Sequence, residues 1–225
     1  MTSGRSRGRF ITFEGGEGAG KSTQIRRLAE RLRRNGRAVI TTREPGGSPR
    51  AEAIRAFLLA GHAQPFGPLA EALLFAAARI SHIDARIEPA LQAGDWVLSD
   101  RFIDSTRVYQ GMVGDVPAET IASIERVVLS GLAIDATVLI DVPAEIGLER
   151  AASRRQAAAP DRFEKQELAE HRRIRDGFLA QAAADSKRFL VVDGSPGIDE
   201  VEAAIWRAVS TRFAAELDIE MVLSA

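Results

Sequence analysis

The chain has 225 residues and a formal net charge of −1, with 45% hydrophobic and 27% charged residues. That length suits one well-cored α/β domain, or a domain with a small lid. The balanced charge argues against a nucleic-acid surface, and the absence of cysteine excludes a disulfide framework, a thiolate metal site and a thiol nucleophile.

In chain order, residues 1–8 are basic and polar, and no apolar signal core follows them. They are expected to form a disordered tail, not an export signal. The longest apolar stretch, around Leu69 to Ala78, is too short to span a bilayer and carries Glu71. A cytoplasmic protein with no membrane partner is therefore expected. Phe10-Ile11-Thr12-Phe13 is a short apolar run that predicts a buried strand. Gly15-Gly16-Glu17-Gly18-Ala19-Gly20-Lys21-Ser22 then fits the phosphate-loop spacing G-x4-G-K-[ST]. After it, Ile25, Leu28, Ala29 and Leu32 form the apolar stripe of a helix. Strand, glycine loop and helix are the context this motif needs. Glycine backbone can turn its N–H groups onto phosphate oxygens, and the helix N-terminus favours an anion. Lys21 is positioned to reach the β- and γ-phosphates, and the Ser22 hydroxyl to ligate Mg²⁺. These residues predict nucleoside triphosphate binding.

Four further strands are expected at Ala38–Thr41, Trp96–Ser99, Thr137–Ile140 and Phe189–Val192, separated by helical stretches. Such alternation predicts a mostly parallel sheet covered on both faces, with ligands beyond the carboxyl ends of the strands. Glu14, Arg43, Asp100, Asp141 and Asp193 occupy those ends. Between the second and third strands, Leu69, Leu73, Ala76, Ile80, Ile83 and Ile87 make a seam spaced 4, 3, 4, 3, 4. Its packing partner is either the chain's own core or a second subunit. Phe75 and Arg79 flank it one turn apart, a pair that either reads a nucleobase or is structural. Asp100 and Arg101 follow the third strand. They read as a Mg²⁺ anchor and a phosphate clamp, or as a surface ion pair. The Ala- and Arg-rich stretch at about 152–163 suits a mobile lid. Residues 9–215 are then a single domain and 216–225 a tail of unknown role.

Four motifs in order are F-E-G-G-E-G-A-G-K-S (Phe13–Ser22), T-R-E-P-G-G (Thr42–Gly47), L-L-F-A-A-A-R (Leu73–Arg79) and D-R-F-I-D-S-T-R-V-Y-Q-G (Asp100–Gly111), followed by D-R-F-E (Asp161–Glu164) after the lid. With them the chain resembles bacterial thymidylate kinases from Arg9 to about Ala208. The resemblance implies a three-layer α/β/α P-loop NTPase fold with a five-stranded parallel sheet, ATP and dTMP as substrates, Mg²⁺ as cofactor, and a homodimer formed through helices like that at Leu69–Ile87. It implies that Phe75 stacks on thymine, Arg79 donates to its O4, and Thr106 meets the N3 edge beside Gln110. Tyr109 would crowd C2′ of the sugar, Arg101 clamp the monophosphate, and Glu17 approach the 3′-hydroxyl. The phosphate loop has no arginine between its glycines, which resembles the type whose catalytic arginine comes from the lid. Arg154, Arg155 and Arg162 are the candidates, with Arg154 favoured by alignment. Two departures are Ala76, where the family usually has tyrosine, and a lid lengthened by Gln156-Ala157-Ala158-Ala159-Pro160. A monophosphate kinase for another base is the alternative within the fold. A GTPase-like switch is the alternative outside it, and no N-K-x-D element supports that reading.

Overall fold

The computed structural model describes residues 7–154 and 167–217. Five strands alternate with helices. The first half runs β1 (Phe10–Glu14), α1 (Lys21–Arg34), β2 (Val39–Arg43), α2 (Pro49–Leu59), α3 (Gly67–His82) and α4 (Glu88–Gln92). The second half runs β3 (Trp96–Asp100), α5 (Ile103–Thr106), α6 (Ala118–Leu129), β4 (Ala136–Asp141), α7 (Ala144–Arg154), α8 (Leu168–Ala184), β5 (Phe189–Asp193) and α9 (Ile198–Arg212). All strand pairs are parallel, in the order β2-β3-β1-β4-β5. The strands match the expected positions, except that β2 starts at Val39 and not Ala38 and β4 starts one residue earlier, at Ala136. Each runs past its expected end to a polar strand end: Glu14, Arg43, Asp100, Asp141 or Asp193.

β1 is buried along its whole length because both faces of the sheet are covered. Ile11 and Phe13 pack with Leu28 and Leu32 of α1 and Ile205 and Val209 of α9. Phe10 points to the other face, among Ile87, Leu91, Val97 and Phe102, and meets the Phe102 ring edge-on at 4.8 Å. Burying these three large β1 side chains contributes on the order of 5–9 kcal/mol before chain entropy is counted. Thr12, on the same face as Phe10, instead hydrogen-bonds Thr137 at 2.8 Å. Arg188 reaches that pair and also donates twice to the fully buried Asp104. This polar patch fixes β1, β4 and α5 relative to one another, because leaving either partner buried alone is costly.

Three expectations change at the element level. The Leu69–Ile87 seam is not one face: Ala76, Ile83 and Ile87 are buried, but Leu69, Leu73 and Ile80 are 46%, 53% and 40% exposed. Within α3 the buried face runs through Ala72, Ala76, Arg79 and His82, so Leu69, Leu73 and Ile80 lie to one side of it, and a wide π-type turn over Ile83–Ile87 follows. The tail expected over 1–8 is anchored at Gly8, whose N–H donates to Leu91 O at 2.8 Å. A Cβ at Gly8 would lie 1.8 Å from the Asp95 carbonyl oxygen, so only glycine fits there. At the other end, Glu216 pairs with Arg9 and Leu217 is buried in the core, while residues 218–225 of the expected tail lie outside the described residues.

Candidate active site

The phosphate loop leaves β1 at Glu14 and enters α1 at Lys21. Gly15 (φ 140°), Gly18 (φ 67°) and Gly20 (φ 92°) adopt left-handed backbone, which turns the loop inward. A Cβ on Gly18 would sit 1.8 Å from the Gly147 carbonyl oxygen, so the loop is clamped against the start of α7. The first turn of α1 carries no acidic residue, and its N–H groups stay compatible with a phosphate. Lys21 Nζ curls over the loop and donates to Gly15 O at 3.0 Å and Gly16 O at 2.9 Å. Burial, and next the Arg101 charge, hold the Lys21 ammonium below its ordinary value, against the pull of Asp100, Glu17 and Glu14.

Ser22 Oγ donates to Asp100 Oδ2 at 2.7 Å, joining the start of α1 to the end of β3. A hydroxyl and a carboxylate converging beside a phosphate loop supply the hard oxygen donors that Mg²⁺ prefers when phosphates and waters complete its shell. The residues present therefore fit the ion. Among the described residues no cluster of three or more His, Cys, Asp or Glu side chains forms a self-sufficient metal cage.

Arg101 has φ 66°, an unusual backbone for a non-glycine residue, and its guanidinium is aimed at the loop. Nη2 donates to Glu17 Oε1 at 2.6 Å and Nη1 to Ser105 Oγ at 3.2 Å, with the Tyr109 ring 5.2 Å from Cζ. Burial raises the Glu17 carboxyl, but the charges of Arg101, Lys21 and His171 outweigh it and hold Glu17 below its ordinary range. The Tyr109 phenol is pushed up to about 12, chiefly by burial, so it is a neutral ring at physiological pH. The turn at Arg101 is held from below by Glu14. Its carboxyl accepts from Phe102 N–H (2.8 Å), Ser105 N–H (3.3 Å) and Ser105 Oγ–H (2.7 Å).

One crevice past the carboxyl ends of β1, β2 and β3 is lined by Glu17–Ser22 together with Phe75, Arg79, Asp100, Arg101, Thr106, Tyr109 and Gln110. The structure thus brings together both phosphate residues and base-reading candidates singled out from the sequence. Arg79 is 3% exposed, with Nε donating to Glu44 Oε2 (2.6 Å) and Nη2 to Phe102 O and Thr106 Oγ1 (both 3.2 Å). Gln110 Nε2 donates to Glu71 Oε2 at 3.4 Å, which fixes the amide orientation. Arg154 is the last residue of α7. Arg155, Arg162 and the rest of the expected lid lie outside the described residues.

Sequence reasoning missed Glu44, Arg55 and Ser105, which also line the crevice. Glu44 stands one residue past β2, the usual ligand position in such sheets, and was the findable one. Arg55 donates to Pro45 O at 2.7 Å from α2, and no local pattern marks it. Asp141 and Asp193 end β4 and β5 but do not line the crevice. Arg175 engages Asp141 (2.6 and 2.8 Å), and Asp193 accepts from Ser195 N–H (2.8 Å).

A P-loop fold with an acceptor pocket facing its phosphate loop defines a small-molecule phosphotransferase of the nucleoside monophosphate kinase class. The thymidylate kinase family model matches residues 13–205. The chain is 55% identical to a thymidylate kinase of Nitrobacter winogradskyi over 206 residues, covering 92% of this chain and 90% of that one. It is 52% identical to one of Bradyrhizobium sp. (93% and 92% covered) and 53% identical to one of Rhodopseudomonas palustris (92% and 90% covered). The chain belongs to the thymidylate kinase family.

Proposed function

We propose that this protein transfers the γ-phosphoryl group of ATP to the 5′-phosphate of dTMP, giving dTDP and ADP. The observation that carries the reading is the single crevice holding a phosphate loop at one end and the Phe75–Arg79–Thr106 pocket at the other. The acceptor phosphate is already an anion at neutral pH, so no covalent enzyme intermediate is required. The protein's task is to align two polyanions and to neutralise their charge.

Residues Gly15–Ser22 cradle the ATP phosphates, and Lys21 exchanges its two carbonyl contacts for phosphate oxygens. Arg101, held ready between Glu17 and Ser105, clamps the acceptor phosphate. Arg154 is the lid cation assigned to the charge that develops on the transferred group. Ser22 and Asp100 hold Mg²⁺, which when bound neutralises phosphate charge. Phe75 stacks on the base, and Arg79 presents Nη1, which makes no hydrogen bond among the described residues, to the pyrimidine O4. Thr106 meets the N3 edge beside Gln110, and the neutral Tyr109 ring crowds C2′ and favours deoxyribose.

Leu69, Leu73 and Ile80 form an exposed apolar row on α3, next to Phe66 at 71% exposure. A row of this kind supports a homodimer through α3. Among the described residues no helix is long and apolar enough to cross a membrane, in keeping with a cytoplasmic enzyme. The test is acceptor-dependent ADP release from Mg·ATP. Fast turnover with dTMP supports the assignment, and none with any monophosphate refutes it.

A further inference from the structure

Behind Arg79 lies a line of buried polar groups that the phosphoryl-transfer chemistry does not use. Arg79 Nε donates to Glu44 Oε2 at 2.6 Å. The other Glu44 oxygen, Oε1, lies 3.0 Å from His82 Nδ1, and His82 Nε2 lies 2.6 Å from Thr42 Oγ1. His82 is fully buried, and Glu44 and Arg79 are nearly so. An ionised carboxylate can only accept, so His82 Nδ1 carries a proton and points it at Glu44. In the neutral ring Nε2 then accepts from the Thr42 hydroxyl. The ring is wedged beneath the turn after β2: a Cβ on Gly47 (φ 85°) would come within 2.3 Å of His82 Nε2 and 2.7 Å of Thr42 Oγ1.

Resting on the dTMP reading above, we propose that His82 is a positioning residue for pyrimidine choice, acting through Glu44 on Arg79. With one carboxylate oxygen held by the imidazole and the other by Nε, the guanidinium plane cannot rotate about its long side chain. Phe102 O and Thr106 Oγ1 hold Nη2, so Nη1 is delivered to a fixed spot in the crevice. A rigid donor there suits a carbonyl at position 4 of a pyrimidine. It rejects an amino group at the same position, because two donors would face each other with neither satisfied. If Glu44 loses its imidazole contact, Glu44 and Arg79 gain freedom together, and that rejection weakens. Recognition of the thymine methyl does not pass through Arg79.

The experiment compares wild type, His82→Asn and His82→Gln with dTMP, dUMP and dCMP under saturating Mg·ATP. Asparagine places its amide nitrogen near the Nδ1 position and keeps the donor to Glu44. Glutamine reaches the Nε2 position and loses that donor. In His82→Gln the expected result is a dTMP-over-dCMP preference in kcat/KM reduced about tenfold, mainly through a higher KM for dTMP. The dTMP-over-dUMP preference and the KM for ATP should stay unchanged, and His82→Asn should retain the wild-type dTMP-over-dCMP ratio. Equal ratios in all three proteins would overturn the proposal. So would a parallel loss of both preferences with a raised KM for ATP, the signature of a purely structural side chain. Should a variant not fold, long-range ¹H–¹⁵N spectra of the wild type read the ring directly. A proton on Nδ1 is expected, and a ring protonated on Nε2 alone would refute the chain of contacts. A wild type that turns over no dTMP would instead refute the functional reading beneath it.

Discussion

Glu14 offers a test of the site's electrostatics that does not depend on substrate. Its carboxyl is fully buried at the end of β1, next to the negative Asp104. Burial, and then Asp104, push it up from an ordinary value near 4.5 to about 7, although Arg101, Ser105 and the Phe102 N–H oppose the change. A carboxyl raised on folding stabilises the protein fully below about pH 4.5, and that contribution fades as pH rises through about 7. The rise from 4.5 to about 7 corresponds to about 3 kcal/mol, of which about 2–3 kcal/mol is lost between about pH 5 and about pH 8.5. Glu14→Gln does not titrate. It keeps an acceptor for Phe102 N–H, and its amide can donate to Ser105 Oγ. Thermal melts of both proteins at about pH 5 and about pH 8.5 give the answer. The variant's stability relative to wild type should rise toward alkaline pH by roughly 5–10 °C in Tm, the scale for a chain of this length. Parallel pH profiles would show that Glu14 is ionised throughout and that the burial argument is wrong.

Three further outcomes are expected. Lys21→Ala should lower kcat for ADP formation by at least about 10²-fold, the usual cost of removing one charge-stabilising donor, and near-normal turnover would contradict the phosphate-loop assignment. Arg154→Ala should cost on the order of 10³-fold in kcat with little change in the KM for dTMP, whereas Arg155→Ala should be mild; the reverse order would move the catalytic cation. Leu73→Glu places a charge in the exposed apolar row of α3 and should shift the protein from dimer to monomer by light scattering. An unchanged dimer would place the interface elsewhere.

Much of this site was legible in the sequence because its parts are local. A glycine loop between a strand and a helix, and an Asp–Arg pair at a strand end, each declare their chemistry within about ten residues. The strands were equally plain: β1, β3 and β4 are buried on both faces and rich in apolar and β-branched residues, and the part-exposed edge strands β2 and β5 still open on short apolar runs. What escaped was non-local. Glu44 and His82 are 38 residues apart, and only packing of α3 against the turn after β2 brings them to 3.0 Å. The Leu69–Ile87 seam only partly matches the buried face of α3, because that face runs through Ala72, Ala76, Arg79 and His82, and hydrophobic periodicity does not count its two polar members.

The most direct test of the central claim is ADP formation from Mg·ATP with dTMP, dUMP, dCMP, CMP, UMP, AMP and GMP as separate acceptors. A thymine methyl in an apolar pocket is worth roughly 10–200-fold. Fast turnover on dTMP is therefore expected, with dUMP slower by that factor and the others negligible. Equal rates on dTMP and dUMP would remove the apolar methyl pocket from the account, and preferred turnover of a non-thymine monophosphate would contradict base reading by Phe75, Arg79 and Thr106.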